Sequence, residues 1–192
     1  ITGVAEPTIR YDVNDSSPLK LLVVGGSLGA QVLNDTVPKA LALLDQPLEV
    51  LHQCGRNNEA ATQAAYSAQD LNNHQFTVQP FIDDMAAAYN WADIIVCRAG
   101  ALTVTEIQNV GIAAIFVPLP HAVDDHQTAN ARTLTSHDAA ILLPQSELTA
   151  KSLSDELGVL NREKCLAMAK KGHALANRSA SKQVADIIWQ AL

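Results

Sequence analysis

Ile94-Ile95-Val96-Cys97-Arg98-Ala99-Gly100-Ala101-Leu102-Thr103-Val104-Thr105-Glu106 runs from an apolar segment through a turn of small residues into a helix start. Ile94–Cys97 is β-branched and lacks polar alternation, which is the pattern of a strand buried on both faces of a parallel sheet. The helix that follows begins with N–H groups that have no intrahelical acceptor. Such an end attracts anions, phosphate above all. Gly100 and Ala101 leave room for a ligand to approach the backbone. Glu106, one turn further on, is placed to accept hydrogen bonds from sugar hydroxyls. Thr103-Val104-Thr105-Glu106 also matches a capping box, with Glu106 bonding back to the helix N-terminus, and the residues alone favour that cap.

A second block has the same grammar. Leu21-Leu22-Val23-Val24-Gly25-Gly26-Ser27-Leu28-Gly29-Ala30 is again strand, glycine turn and helix. No Gly-Lys-Ser/Thr follows, so it is not a Walker A loop. A dinucleotide-binding Rossmann domain needs an acid near the end of the second strand. That strand ends His52-Gln53-Cys54-Gly55, with Glu49 at the wrong end, which weakens an NAD reading. Gly26 and Gly29 are expected to let a ligand approach, and Ser27 to add a hydroxyl donor or, alternatively, to cap the helix.

From Leu19 onward strand and helix alternate. Strands are expected at 20–24, 48–53, 75–79, 93–97, 114–118 and 139–143. Helices are expected at 29–44, 57–70, 84–91, 103–110, 126–135, 149–158, 162–175 and 180–191. Six short apolar strands joined by helices imply an α/β fold: a doubly wound, mostly parallel, Rossmann-like sheet. Ligands bind such sheets at the carboxyl ends of the strands. Gly25–Gly29, Pro80–Asp84, Arg98–Glu106 and Pro118–Gln127 all fall on that rim. Residues 1–18, with the turn-prone Asp12–Pro18, read as a lead-in or linker, and residues 19–192 as one domain.

Composition narrows the function classes. The chain has 192 residues, 48% of them hydrophobic, enough for one ordinary core. A net charge of −7 without a basic patch argues against nucleic-acid binding. No apolar run reaches membrane-spanning length and no signal peptide is visible. Cys54, Cys97 and Cys165 suit reduced thiols of a cytosolic protein. Asp124-Asp125-His126 does not make a metal site, because adjacent residues on a helix start diverge. The chain begins at Ile1 rather than Met, so the natural N-terminus is expected to lie upstream.

Together these blocks resemble a known family. Gly25–Ala30 with Leu33-Asn34, Phe81-Ile82-Asp83-Asp84-Met85, Arg98–Thr103 with Glu106, and His121 with Asp125-His126-Gln127 and Asn130 are similar to the MurG family of peptidoglycan glycosyltransferases. The resemblance implies one half of a two-domain GT-B enzyme, namely the domain that binds the donor UDP-N-acetylglucosamine. It implies an inverting transferase that moves N-acetylglucosamine to lipid I, giving lipid II, and neither a metal nor another cofactor. It places Gly26, Ser27, Ala101, Leu102 and Thr103 at the diphosphate, Glu106 at the ribose and Arg98 beside the donor. Phe81 and Ile82 meet the uracil, with Asp83 expected as a helix N-cap. Gln127 and Asn130, with His126 beside them, face the sugar. The catalytic base and the lipid I site belong to the other domain, so this chain alone is expected to be inactive. The whole enzyme is expected on the cytoplasmic face of the inner membrane. The competing readings are another GT-B nucleotide-sugar transferase or epimerase, and a stand-alone nucleotide-binding module.

Overall fold

A computed structural model describes residues 3–120 and 125–176. Short α1 (Pro7–Arg10) precedes β1 (Leu19–Val24), α2 (Gln31–Leu41), β2 (Leu48–Gln53), α3 (Glu59–Ser67) and β3 (Gln75–Gln79). Then follow α4 (Met85–Trp91), β4 (Ile94–Cys97), α5 (Ala101–Val110), β5 (Ala113–Phe116), α6 (His126–Thr135), β6 (Ile141–Leu142), α7 (Ala150–Gly158) and α8 (Arg162–Ala174). The six strands form one sheet in the order β3-β2-β1-β4-β5-β6, and every pairing is parallel. The order turns outward in both directions from the β1–β4 pair, which makes that pair the topological switch point of a doubly wound sheet.

The two-sided burial expected from the strand composition is visible residue by residue. Leu21, Val23, Ile94, Val96 and Ile115 enter one core cluster, and Leu22, Ile95, Cys97, Ala114 and Phe116 enter the other. Successive side chains thus alternate between two apolar layers, as the strand period of two requires. Leu21, Leu22, Val23 and Ile95 are wholly buried, each worth about 1.5–3 kcal/mol on removal from water.

Several elements differ from expectation, three of them for identifiable reasons. Helix α1 falls within residues 1–18, expected as a lead-in or linker; Pro7 at its first turn fixes a helical φ there. Strand β6 covers only Ile141–Leu142 because α6 ends in a Schellman turn that uses the preceding residues. In that turn Asp138 is left-handed (φ 52), and the Ala139 and Asp138 amides donate to the Leu134 and Thr135 carbonyls. Helix α5 begins at Ala101, two residues earlier than expected, with Gly100 as its N-cap. The expected helix 180–191, together with His121 and Asp124, lies outside the described residues.

Candidate functional site at the carboxyl edge of the switch point

The glycine loop leaves the end of β1 and turns tightly, with the Gly29 amide donating to the Gly26 carbonyl at 2.9 Å. Gly29 is indispensable to the protein's own packing: a Cβ there would stand 2.0 Å from the Cys54 carbonyl oxygen. The Cβ direction at Gly29 is taken by the loop after β2, while the residue itself lines the cleft between the two loops. Gly26 differs, with φ +85 and open space where a Cβ would be. The N-cap of α2 is Ala30, without a side-chain cap. The alternative in which Ser27 caps the helix is therefore not realised. Ser27 is exposed, and among the described residues its hydroxyl has no partner.

The second loop leaves β4 beside it. With Gly100 as N-cap, the amides of Ala101, Leu102 and Thr103 occupy the first turn of α5, and Val104 is the first to find a carbonyl, that of Gly100. Thr103 lies inside the helix, so Thr103–Glu106 cannot form the capping box that the residues suggested. Glu106 instead accepts a hydrogen bond from the Tyr89 hydroxyl at 3.1 Å. Burial and the neighbouring Glu106 charge push the Tyr89 phenol well above its ordinary pKa, so it stays a donor.

Helix α6 and Arg98 hold this loop in place. Gln127 Oε1 accepts from the Ala99 amide (3.2 Å) and the Leu119 amide (3.0 Å), and Asn130 Nδ2 donates to the Ala99 carbonyl (3.1 Å). Arg98 donates through one terminal nitrogen to the Val117 and Pro118 carbonyls (3.1 and 3.2 Å). Its partial burial lowers the guanidinium pKa, yet the group stays cationic at neutral pH. Gln127, Asn130 and Arg98 are thus engaged with backbone, and each keeps polar atoms beyond those contacts. His126 is exposed at the start of α6.

The third segment follows β3. Ile82 is buried among Ala88 and Tyr89, while Phe81 stays about half exposed at 46%. The N-cap of α4 is Asp84, whose carboxylate accepts from the Ala87 amide at 2.9 Å. Asp84, not Asp83, therefore takes the capping role, because Met85 rather than Asp84 opens the helix.

Two polar groups that sequence reasoning passed over stand behind these loops. Gln53, 3% exposed at the end of β2, donates from Nε2 to the Gly26 carbonyl (2.8 Å) and the Pro80 carbonyl (3.1 Å). His52, wholly buried, bridges the Tyr66 hydroxyl (2.9 Å) and Asn34 Oδ1 (3.0 Å), and Asn34 Nδ2 donates to the Cys54 carbonyl (3.0 Å). The Asn34 amide must donate to that carbonyl, so Oδ1 accepts from His52 Nε2–H and His52 Nδ1 accepts from Tyr66. Burial keeps His52 neutral, its pKa lowered to about 3. The signal that could have found both was their place at the end of a central strand, where a side chain has backbone on either side.

Gly26, Ser27, Gln31, Arg98, Gly100, Thr103 and Gln127 line one cleft of about 490 Å³ between the two loops, within the usual range for a small-ligand site. No carboxylate is among its described lining residues, although the chain carries a net charge of −7. Two helix N-termini, a guanidinium and two hydroxyls converge there, which is the donor-rich environment an anion requires. Ala101, Leu102, Glu106, His126, Asn130, Phe81 and Ile82 do not line that cleft. Glu106 sits beside α4, the helix that the Phe81–Asp84 segment leads into.

The fold defines a class: a doubly wound α/β domain of the kind that makes up half of a GT-B glycosyltransferase. Residues 20–188 match the model of the glycosyltransferase family 28 C-terminal domain, and the chain belongs to that family. Over all 192 residues it is 82% identical to the UDP-N-acetylglucosamine--N-acetylmuramyl-(pentapeptide) pyrophosphoryl-undecaprenol N-acetylglucosamine transferase of Psychrobacter arcticus, covering 53% of that protein. It superposes on crystalline Acinetobacter baumannii MurG with a TM-score of 0.92 and 46% identity, over 97% of this chain and 54% of that one. The glycosyltransferase VinC, crystallised with dTDP, shares the fold at a TM-score of 0.62 and 19% identity, over 97% of this chain and 44% of that one. The chain thus spans about half the length of the curated relatives it matches. Among the described residues no helix is long and apolar enough to cross a membrane.

Proposed function

We propose that this domain binds UDP-N-acetylglucosamine as glycosyl donor. The observation that carries the reading is the acid-free cleft at the β1–β4 switch point, into which two uncapped helix N-termini open. The diphosphate rests on the Ser27 hydroxyl, the backbone beside Gly26, and the Ala101, Leu102 and Thr103 amides, with Arg98 adding positive potential. The same donors stabilise the charge that UDP gains on leaving. Glu106, oriented by Tyr89, accepts from the ribose hydroxyls. The uracil meets the Phe81–Ile82 backbone. Gln127 Nε2 and Asn130 Oδ1, the atoms left over from holding Ala99, face the sugar together with His126.

The whole protein then transfers N-acetylglucosamine to lipid I with inversion, at the cytoplasmic face of the inner membrane. Residues 1–18 lead in from the acceptor domain, which supplies the base. The 192-residue chain alone transfers nothing. Calorimetric titration tests the donor reading: UDP and UDP-N-acetylglucosamine bind with similar affinity, and NAD at least tenfold more weakly. Binding of NAD without UDP would overturn it in favour of a dehydrogenase-type module.

A further inference from the structure

Gln53 occupies the place at the end of β2 where a dinucleotide-binding sheet carries an acid. Its neighbours explain the change of chemistry. In register, Gln53 lies between Val24 of β1 and Gln79 of β3, so its strand ends between the two loops that leave those neighbours. One loop is the glycine turn, and the other is the Pro80–Asp84 segment. Both present a main-chain carbonyl to Gln53, and its single amide nitrogen donates to both, at 2.8 and 3.1 Å. The assignment of nitrogen and oxygen is fixed by these partners, because two carbonyls accept and cannot donate. A carboxylate there would face two carbonyl oxygens in a site that is 3% exposed. The position therefore requires a buried donor, and the amide fork supplies two protons on one nitrogen.

We propose that Gln53 is a positioning residue that sets the spacing between the diphosphate-binding glycine loop and the base-binding Pro80–Ile82 segment. The inference rests on the donor reading above. Gln53 makes no contact with ligand; it holds two half-sites at one separation, so that a nucleotide spanning both binds without ordering them first. Its effect is felt only by ligands that bridge the halves. A ligand that occupies one half is indifferent to their separation.

The test compares Gln53→Leu and Gln53→Glu with the unaltered 192-residue chain, using UDP, uridine and inorganic pyrophosphate as separate probes. For Gln53→Leu the expected result is a UDP affinity lowered tenfold or more, with uridine and pyrophosphate each changed less than threefold. Gln53→Glu is expected to lose more UDP affinity at pH 7.5 than Gln53→Leu. It should recover part of that loss, relative to the unaltered chain at the same pH, as the solution is taken to pH 5.5 and the protonated carboxyl regains one donor. Retained UDP affinity in Gln53→Leu overturns the proposal. So does a loss shared equally by all three probes, which marks Gln53 as a support of the fold alone. If Gln53→Leu does not fold, the pH-dependent recovery of Gln53→Glu decides the matter by the same probe comparison. Failure of the unaltered chain to bind UDP overturns the donor reading itself, a separate outcome.

Discussion

At the amino edge of the sheet, buried charged side chains are held by several backbone carbonyls; at the carboxyl edge, the first amides of two helices have no side-chain cap. Arg162, 8% exposed, donates to the Asp15, Ser17 and Pro18 carbonyls (2.7, 2.7 and 2.9 Å) and pairs with Asp93 at 3.3 Å. Asp93 in turn accepts from the Lys20 amide at 2.9 Å. Burial pushes the Asp93 carboxyl above its usual pKa, while that amide and Arg162 pull it back. Beside them Arg10 closes the ends of α4 and α5, donating to the carbonyls of Tyr89 (2.8 Å), Val110 (3.2 Å) and Gly111. The Tyr11 hydroxyl donates to the Asp93 carbonyl at 2.6 Å and accepts from the Ala113 amide. These contacts stitch the lead-in to the sheet. Across the sheet, α2 and α5 begin without side-chain caps, and Leu28 and Leu102 stand 85% and 81% exposed beside the cleft. Satisfied polar groups stabilise the fold, whereas donors left to water cost little until a ligand replaces that water. The contrast therefore separates the edge that holds the fold from the edge proposed to bind the donor.

The largest test of the contrast is Arg162→Met, which leaves the Asp93 carboxylate buried and unpaired. A loss of about 3–5 kcal/mol in urea unfolding is expected, with UDP affinity of the folded fraction unchanged. A mild loss would mean that the amino edge is not the anchor. Next comes acid sensitivity. The unfolded chain protonates His52 near pH 6.5, and the folded chain only near 3. Between those values the unfolded state binds the extra proton, so this stability is full above about pH 6.5 and is lost as pH falls toward 3. In His52→Leu the stability–pH slope between pH 4 and 6 should be shallower by about 1.4 kcal/mol per unit. Parallel slopes would exclude His52 as the titrating group.

Smaller effects belong to the carboxyl edge. Glu106→Ala should lower UDP affinity about tenfold, and it should cost about 1–2 kcal/mol of stability because the Tyr89 hydroxyl loses its acceptor. Tyr89→Phe in the same background recovers most of that stability and none of the affinity; recovery of both would return Glu106 to a structural role. Ser27→Ala is the mildest change. Thermal unfolding should shift by under about 0.5 kcal/mol, as for an exposed site, while UDP affinity falls several-fold. A stability loss with intact affinity would contradict the edge contrast directly.

The sequence by itself determined the layered α/β architecture. Strands such as Ile94–Cys97 are apolar at every position, and only a sheet covered on both faces accommodates that. It also determined that the two small-residue loops share one rim, since parallel strands place their ends together. Tertiary packing decided what the individual side chains do. The pattern Thr103–Glu106 looks like a cap until Gly100 starts the helix two residues early. Gly29 reads as one more loop glycine until the fold brings the Cys54 carbonyl, twenty-five positions along the chain, to where a side chain would stand. Gln53 and Arg162 have no local signature at all. Their roles arise because the fold surrounds each with main-chain carbonyls from distant segments, and a buried donor is then the group that satisfies them.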